Sequence, residues 1–551
     1  MRTIGSGTGF SGLAFLALIG GVAACGSNTV IYRDPPPGTA PDPVATTDPT
    51  TPVPDPSTTG DPTSKDTPAP PLVAGLAITD VAFFQGVKVP VLTTGKPVAK
   101  AKRNSPVVAG RPALVRVYVS PGSAYTPTAV TAELRLVNGT TRLPIVQDTK
   151  TMTVVSSDSV LASTFNFEVP AESLPAGVTY QVLLTSKGGT VPTAATDARF
   201  PKEGGVQNLE VETSGKLKIV VVPVAYQADG SGRTPDVSAA QLALYKQTFM
   251  ARYPTTEVEI TARAPWDYAS AISANGNGFS AVLNAITNLR KADGAASDVY
   301  YYGAFAPRSS FSNYCQGGCV TGLSTVVSSP STAFLRASVG VGFAGADSAN
   351  TAAHEVGHAH GRNHAPCGGA QGTDPNFPYS DGTIGVWGYN IIDKTFINPA
   401  KGNDMMGYCP NEWVSDYTYS ALFDRIANVN GGTSSAGGSG NAKAPAPAAA
   451  SAQTYRMAMI DGDGAASVAT WGGDIELDVE PTAGEARVAT FLSASGATIG
   501  THTAHFYAYD HLPGGVLVVP AAPQGATAQV RSSWSQVRIA AAGGVAHALT
   551  R

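Results

Sequence analysis

A short stretch of this 551-residue chain concentrates the side chains that could bind a metal and catalyse hydrolysis. Residues 354–364 read HEVGHAHGRNH and contain four of the eight histidines. His354 and His358 are four residues apart, so on a helix they share one face and can both bind one Zn²⁺. Glu355 is adjacent, where its carboxylate can act on a water molecule rather than on the metal. The spacing therefore predicts a helical metal site suited to hydrolysis.

A third ligand is expected just beyond the helix, whose N-terminus Asp347 or Ser348 can cap. Gly361 is predicted to end it, because glycine adopts a left-handed conformation at little cost. His364 follows three residues later and can turn back towards the same metal. Three neutral imidazoles leave one coordination position open, which is typical of a catalytic zinc site. There Glu355 would take the proton of a zinc-activated water as general base and pass it to the leaving amine as general acid.

Other candidate ligands in the sequence are less favourable. His360 lies off the ligand face and is predicted to pack or to face solvent. The C-terminal histidines show no ligand spacing with a carboxylate and are not predicted to bind metal: they are His502, His505, His511 and His547. An ion site could form in the following loop, although its composition is that of an ordinary polar loop, from Asp374, Asn376 and Asp381. A Ca²⁺ site is conceivable at the DGDG of 461–464, but the rest of an EF-hand loop is missing and a turn is favoured.

The stretch matches HExxHxxGxxH at every fixed position and so resembles the zinc signature of the metzincin metalloproteases. That family also has a downstream turn with a Met below the metal. Here NDMMGYC follows about forty residues later, so Met406 corresponds to the Met-turn residue. Tyr408 matches the Tyr that lies close to zinc and helps the oxyanion in the astacin and serralysin branches. The resemblance covers about 215–430.

This resemblance implies a mixed α/β (α+β) catalytic domain that holds one catalytic Zn²⁺ and cleaves protein or glycoprotein substrates as an endopeptidase. It also implies an edge strand within the region from GCVTGLSTVV (318–327) to VGVGFAG (339–345), along which a peptide substrate would add as a further strand.

Five cysteines are present. If Cys25 carries lipid, four cysteines remain, and they allow three disulfide pairings. We favour Cys315–Cys319 across the CQGGC loop and Cys367–Cys409. The alternative is a four-Cys zinc site, but the paired Cys-x2-Cys spacing is missing. In the metzincin interpretation, a Cys367–Cys409 bridge ties the segment after the last ligand to the Met-turn.

The N-terminus has the features of a bacterial export signal. An apolar run from Leu13 to Ala24 is too short to span a bilayer but fits a signal-peptide core. Its end, Val22-Ala23-Ala24-Cys25, resembles a lipobox, so we expect cleavage of 1–24 and lipidation of Cys25. The alternative is an ordinary secretory signal with a free Cys25. The protein is thus expected to be exported, either anchored by lipid to the outer membrane or cell surface, or secreted.

Composition divides the rest of the chain into several units. Residues 25–72 are rich in Pro and Thr and are predicted to be a disordered tether. Segments of alternating apolar and polar residues in 73–205 predict the strands of an immunoglobulin-like β-sandwich. The catalytic domain is expected at 206–430, with a β-α-β-α-β run over 215–306 and a helix capped by Ser415. Residues 431–453 read as a flexible linker, and 454–551 as a small β-sandwich.

The net charge of −4 and the absence of a Lys/Arg-rich block argue against a nucleic-acid partner. We expect a monomer. An alternative function is a surface binding or adhesion protein that acts through its β-sandwiches and carries a weakly active or inactive protease core.

Overall fold

The computed structural model describes residues 71–551 except 192, 432–452, 463–466, 478–479, 482, 524–532 and 541–545. Cys25, the signal peptide, nearly all of the predicted tether and linker, and part of the DGDG run lie outside the described residues. Within the described part of the chain, no helix is long and apolar enough to cross a membrane.

The first unit consists of two antiparallel sheets. Successive side chains of a strand point to opposite faces of a sheet, and in Ala129–Asn138 the buried residues accordingly alternate with partly exposed ones. Its strands are Leu76–Phe84 (β1), Lys88–Thr93 (β2), Lys96–Pro97 (β3), Ala113–Pro121 (β4), Ala129–Asn138 (β5), Thr141–Arg142 (β6), Val146–Thr151 (β7), Thr164–Val169 (β8), Thr179–Thr185 (β9), Arg199–Phe200 (β10) and Gln207–Asn208 (β11). Short 3₁₀ turns lie at Lys100–Lys102, Leu161–Ser163 and Ala171–Ser173. One sheet has the order β3-β2-β1-β4-β8, and the other has β10-β9-β5-β6 with β7 on β5 and β11 on β9.

The second unit is a mixed sheet with helices. Its elements are Lys216–Tyr226 (β12), Ala239–Arg252 (α1), Glu257–Ala262 (β13), Trp266–Tyr268 (β14), Phe279–Ala292 (α2), Val299–Phe305 (β15), Phe311–Tyr314 (α3), Gly322–Ser324 (β16), the 3₁₀ turn Ala333–Leu335, Ala337–Val341 (β17) and Ala346–Ala359 (α4). The predicted β-α-β-α-β order is present, with the short β14 added. The sheet order is β13-β12-β15-β17-β16; all neighbours are parallel except β16, which pairs antiparallel with β17 at the edge.

A mostly irregular segment follows α4 and ends in a helix. It contains Gly388–Asn390 (β18), Thr395–Ile397 (β19), Asn403–Asp404 (β20), Glu412–Trp413 (β21) and Asp416–Val429 (α5). The predicted cap of α5 is confirmed, because the Ser415 hydroxyl accepts a hydrogen bond from the Thr418 amide at 3.0 Å.

The C-terminal unit is one antiparallel sheet in the order β23-β22-β26-β25-β24-β27-β28. Its strands are Gln453–Asp461 (β22), Val468–Leu477 (β23), Glu485–Ser493 (β24), Thr498–Ala508 (β25), Gly514–Pro520 (β26), Trp534–Ala540 (β27) and Ala546–Thr550 (β28). The two ends of the sheet approach each other, and the Trp471 indole donates to the carbonyl of Thr550 at 2.5 Å. This differs from the predicted two-sheet sandwich, because alternation within strands does not reveal whether a sheet stacks on another or curls on itself.

The first and second units share one hydrophobic core. Arg111 is fully buried at their boundary and satisfies three backbone carbonyls, those of Gln85 (3.0 Å), Thr255 (2.9 Å) and Met250 (2.5 Å). The carbonyl of Met250 lies in the last turn of α1, and that of Thr255 lies in the loop after it. The carbonyl of Gln85 belongs to the first unit. The guanidinium therefore fixes the position of the first sandwich against the helical layer.

We expect Arg111→Ala to lower the free energy of unfolding by at least about 3 kcal/mol, because it leaves several buried carbonyls without a donor. The midpoint of denaturant unfolding measures this. Arg142→Ala, at an exposed position of β6, serves as the control and should change stability little. Equal midpoints for the two variants would contradict this role of Arg111.

Candidate metal centre

Helix α4 carries the first two candidate ligands and the candidate base. His358 is fully buried and Glu355 is 1% exposed. The Nε2 atoms of His354 and His358 are 3.1 Å apart, as the i, i+4 spacing predicts for side chains on one face.

The start of α4 differs from the prediction. The helix begins at Ala346 with Gly345 at the N-cap, so neither Asp347 nor Ser348 caps it. The side chain of Gln241 on α1 instead bonds both backbone groups of Gly345, accepting from its amide at 2.8 Å and donating to its carbonyl at 3.0 Å. A tertiary contact with α1 thus replaces the local cap.

The end of α4 follows the prediction for Gly361. This glycine has φ +84° two residues after the last helical residue, a conformation that a side chain would strain. A Cβ there would also lie 2.6 Å from the carbonyl oxygen of Val327. The chain can therefore reverse tightly, which brings His364 back beside His358, with ring centroids 4.6 Å apart.

Each of the three histidine rings is held through its Nδ1 atom. His354 bonds the carbonyl of Met405 at 2.6 Å, His358 that of Arg362 at 2.6 Å, and His364 that of Gln371 at 2.5 Å. A carbonyl only accepts, so each Nδ1 carries the proton and each Nε2 presents a lone pair. Burial lowers the pKa of all three rings, to about 3 for His364, which keeps them neutral.

These rings fit a bound cation. The lone pairs of His354 and His358 face each other at 3.1 Å, which is repulsive unless a positive charge lies between them. Ligand atoms bound to one tetrahedral zinc at ~2.0–2.1 Å lie roughly 3.3 Å apart, close to this separation. Neutral imidazoles oriented by backbone carbonyls are also the usual outer arrangement of a zinc site.

Glu355 lies beside this centre in an environment that disfavours its charge. Burial raises the pKa of Glu355 to about 8. On the other side, Gly322 of β16 approaches so closely that a Cβ would lie 2.1 Å from Glu355 Oε1. The edge strand and the candidate base are therefore in direct contact.

The turn at 404–408 forms the floor of the centre. Met406 is fully buried, and its sulfur lies against Gly357 of α4. Asp404 fixes the turn by accepting from the amides of Met406 (2.8 Å) and Ser415 (2.9 Å). The carbonyl of Met405 then orients His354, so this turn sets the position of one candidate ligand.

Tyr408 reaches the centre from the end of the same turn. Its hydroxyl is 3.1 Å from Nε2 of His364. The structure therefore places Tyr408 beside the three histidines.

Both favoured cysteine pairs are at disulfide distance. Their Cα–Cα separations are 5.2 Å for Cys315–Cys319 and 5.6 Å for Cys367–Cys409. The second bridge joins the segment after His364 to the residue after Tyr408.

A match to a known protein family falls on this region. Residues 256–417 match the Peptidase M66 family model. The match runs from β13 to the start of α5 and includes the histidine helix and the turn beneath it. It indicates a peptidase, and a metallopeptidase family implies a bound metal.

Curated relatives of this chain are similar to it over part of their length. Dictomallein from Burkholderia mallei (strain SAVP1) and dictomallein from Burkholderia pseudomallei (strain 668) are each 26% identical over 263 residues. The match covers 42% of this chain and 34% of each relative, so the chain spans about a third of the length of these proteins. Among solved structures, a calcium-binding mutant of Bacteroides uniformis beta-glucuronidase 2 aligns with a TM-score of 0.11 at 12% identity, covering 42% of this chain and 28% of that one.

Two further residues enter the centre from outside the Peptidase M66 match. Asp510 and His511 follow β25 of the C-terminal unit. The Oδ2 atom of Asp510 is 3.2 Å from Nε2 of His358. His511 Nε2 is 2.9 Å from Glu355 Oε1, and its Nδ1 bonds the Tyr408 hydroxyl. The five candidate ligand atoms lie within 4.8 Å of one another: they belong to His354, His358, His364, Asp510 and His511.

The prediction that no C-terminal histidine joins the site is therefore wrong for His511. Spacing rules detect ligands that share one helix or loop, whereas Asp510–His511 lies 146 residues after His364 in another unit. The signal that the sequence did offer was an adjacent Asp-His pair between two apolar strands, in FYAYDHLPGGVLVV.

The other polar candidates have structural contacts. His360 is buried, donates from Nδ1 to the carbonyl of Val356 at 2.7 Å and stacks on Tyr300 with centroids 4.2 Å apart, so it packs. In the loop, the Asp374 carboxylate accepts hydrogen bonds from Arg362 (3.2 Å) and from the Tyr417 hydroxyl (2.9 Å), while Asn376 and Asp381 form local hydrogen bonds within the loop.

Loss of a group that hydrogen-bonds a metal ligand typically weakens metal binding by roughly 10–100-fold. Because His354→Ala removes a ligand itself, we expect it to weaken zinc binding by more than that. Metal competition with a fluorescent chelator measures the change. His502→Ala, on β25 away from the centre, is the matched control and should bind like the wild type. Unchanged affinity in His354→Ala would exclude this residue as a ligand.

Proposed function

We propose that this protein is an exported, zinc-dependent endopeptidase of the metzincin type. The observation that carries the proposal is the convergence of three neutral imidazole nitrogens beside a buried carboxylate, in a region that matches a peptidase family. Three nitrogen ligands next to a general base are the typical composition of a catalytic, rather than a structural, zinc site.

A Zn²⁺ ion held by His354, His358 and His364 would supply Lewis acidity, polarising the scissile carbonyl and making a water molecule acidic enough to deprotonate near neutral pH. Glu355 is the acid–base group in this proposal. Its side chain is buried beside the three imidazoles, where it can reach a water molecule at the centre. Its carboxylate would accept the proton of the attacking water and return it to the leaving amine.

Tyr408 is proposed to stabilise the oxyanion. Its hydroxyl lies 3.1 Å from His364 Nε2, so a substrate carbonyl at the centre would be within reach of this donor. A phenol aimed at the developing charge strengthens its hydrogen bond as the carbonyl becomes tetrahedral.

Substrate would bind along the edge strand β16. This strand is antiparallel at the border of the sheet and contacts Glu355 through Gly322, so an added peptide strand would pass the catalytic groups. We propose an extracellular protein or glycoprotein as substrate. The lipobox-like end of the signal favours attachment through Cys25, with the protein acting at the cell surface as a monomer.

We expect Glu355→Gln to reduce peptide cleavage by at least about 10²-fold while zinc remains bound, because only the acid–base group is removed. Cleavage of casein and of a broad peptide library, with zinc content measured in parallel, tests this. Cleavage with and without Glu355→Gln is compared in the wild-type background and in an Asp510→Ala/His511→Ala background, since Asp510 and His511 cover the centre.

The control for this substitution is Glu257→Gln, at an exposed position of β13, which should cleave like its parent. Zinc-loaded protein that cleaves no peptide in either background would refute the peptidase proposal and favour the binding or adhesion alternative.

In the Asp510→Ala/His511→Ala background we expect Tyr408→Phe to lower kcat by roughly 10²-fold with little change in KM, because the hydroxyl acts on the transition state more than on the ground state. Steady-state kinetics on one cleaved peptide measure both constants. Tyr125→Phe in the first sandwich is the control. A rise in KM at constant kcat would instead assign Tyr408 to substrate binding.

A further inference from the structure

The segment that closes the metal centre continues the catalytic sheet. At its edge, the amide of Val326 donates to the carbonyl of Ala508 at 3.1 Å. Thr325 and Tyr509 form an antiparallel bridge, and the amide of Asp510 donates to the carbonyl of Ser324 at 3.2 Å. Residues 508–510 therefore pair antiparallel with residues 324–326, at the end of β16 and just beyond it. A peptide substrate would need the same backbone groups of β16 and the residues after it.

The side chains of this segment also engage the groups proposed to react. Asp510 Oδ1 accepts from the Ser324 amide at 2.9 Å, which fixes the carboxylate. Its Oδ2 atom lies 3.2 Å from His358 Nε2 and 3.2 Å from His511 Nε2. The distance from Asp510 Oδ2 to His358 Nε2 is within 0.1 Å of the 3.1 Å that separates the Nε2 atoms of His354 and His358. Asp510 Oδ2 is thus at the distance expected of a fourth ligand of the same ion.

His511 covers the remaining functional groups. Its Nε2 donates to Glu355 Oε1 at 2.9 Å, and the Tyr408 hydroxyl donates to its Nδ1. The ring also stacks on His354 with centroids 5.2 Å apart and an interplanar angle of 14°. With the proposed base and oxyanion donor both bonded to His511, neither is available to a substrate.

The C-terminal unit is packed firmly in this position. The rings of Tyr507 on β25 and Phe334 pack edge to face with centroids 6.2 Å apart, and Leu512 lies against Gly276. Two asparagines of α2, Asn284 and Asn288, donate to the carbonyl of Gly472 at 3.2 and 2.6 Å. One apolar cluster, which includes Met457 and Ile475 of this unit, continues into α2 and the catalytic sheet. Closure is therefore a packed state and not a loose contact.

We propose that residues 508–511 autoinhibit the enzyme by occupying the substrate edge in the manner of a bound peptide, with Asp510 as the fourth metal ligand. This inference rests on the proposed metal site and concerns its regulation. The chain is latent in the closed arrangement, and substrate gains access only when the C-terminal unit withdraws this strand.

Active-site access provides a test that does not require catalysis. The probe is a short peptide hydroxamate, whose affinity for the zinc-loaded full-length protein is measured by calorimetry. Because apparent affinity falls with the fraction of open molecules, Asp510→Ala/His511→Ala should bind the probe at least about 10-fold more tightly than the wild type. Equal affinity would overturn the occlusion. Thr503→Ala, at an exposed position of the same strand, is the control and should match the wild type.

The metal environment provides the second test. In Co²⁺-substituted protein, Asp510→Asn should alter the visible absorption spectrum and release the ion to a chelator at least about 10-fold faster, since a carboxylate ligand is lost. An unchanged spectrum and release rate would exclude Asp510 as a ligand. The nearly isosteric pair Asp510→Asn/His511→Gln, with circular dichroism and the unfolding midpoint, covers the case in which the alanine variant does not fold.

Cleavage assays on the same proteins separate this inference from the proposed function. A double variant that binds the hydroxamate more tightly but cleaves no peptide supports the closure and refutes the peptidase. A wild type that cleaves peptides and binds the hydroxamate as well as the double variant does supports the peptidase and refutes the closure.

Discussion

The centre of this structure depends on three hydrogen bonds from histidine Nδ1 atoms to backbone carbonyls. Those bonds, to Met405, Arg362 and Gln371, place the protons on the outer side of the rings. The lone pairs are then forced inward, where they repel one another without a cation. Since none of the three carbonyls belongs to the hydrogen-bonded body of α4, the site requires the turn after the helix and the turn at 404–408 to be in place. The surrounding fold serves to hold these carbonyls.

The turn at 404–408 is in turn connected to distant parts of the chain by hydrogen bonds. Asp404 bonds the amides of Met406 and Ser415, so it links the floor of the site to the cap of α5. Further along α5, the hydroxyl of Tyr419 donates to the carbonyl of Gln85 at 2.7 Å in the first sandwich. The N-terminal unit therefore stabilises the helix that supports the metal centre, which gives it a structural role besides any in binding.

Local patterns predicted the parts of the site that are local in sequence. The i, i+4 histidines, the reversal at Gly361 and the cap at Ser415 each follow from backbone geometry over a few residues, and the structure contains them. The β-α-β-α-β order of 215–306 follows from changes in hydrophobic period. Features determined by contacts between units could not be read in this way. Gln241 replaces the predicted cap of α4, and Asp510 and His511 enter the centre from a separate sheet, because tertiary packing and not spacing brings them there.

The position of residues 508–511 makes access to the centre a competition between this segment and a substrate strand. The backbone groups of Ser324 and Val326 can pair with residues 508–510 or with a substrate strand, but not with both. A strand attached to the same chain competes at an effective concentration on the order of mM or more, and here it is also packed through its own unit. A short peptide offers only strand pairing and side-chain contacts at the cleft, so it competes poorly. A larger protein that also binds other surfaces of the molecule can offset the cost of displacing residues 508–511. The closed arrangement would therefore select for substrates, or for activating partners, that engage more than the cleft.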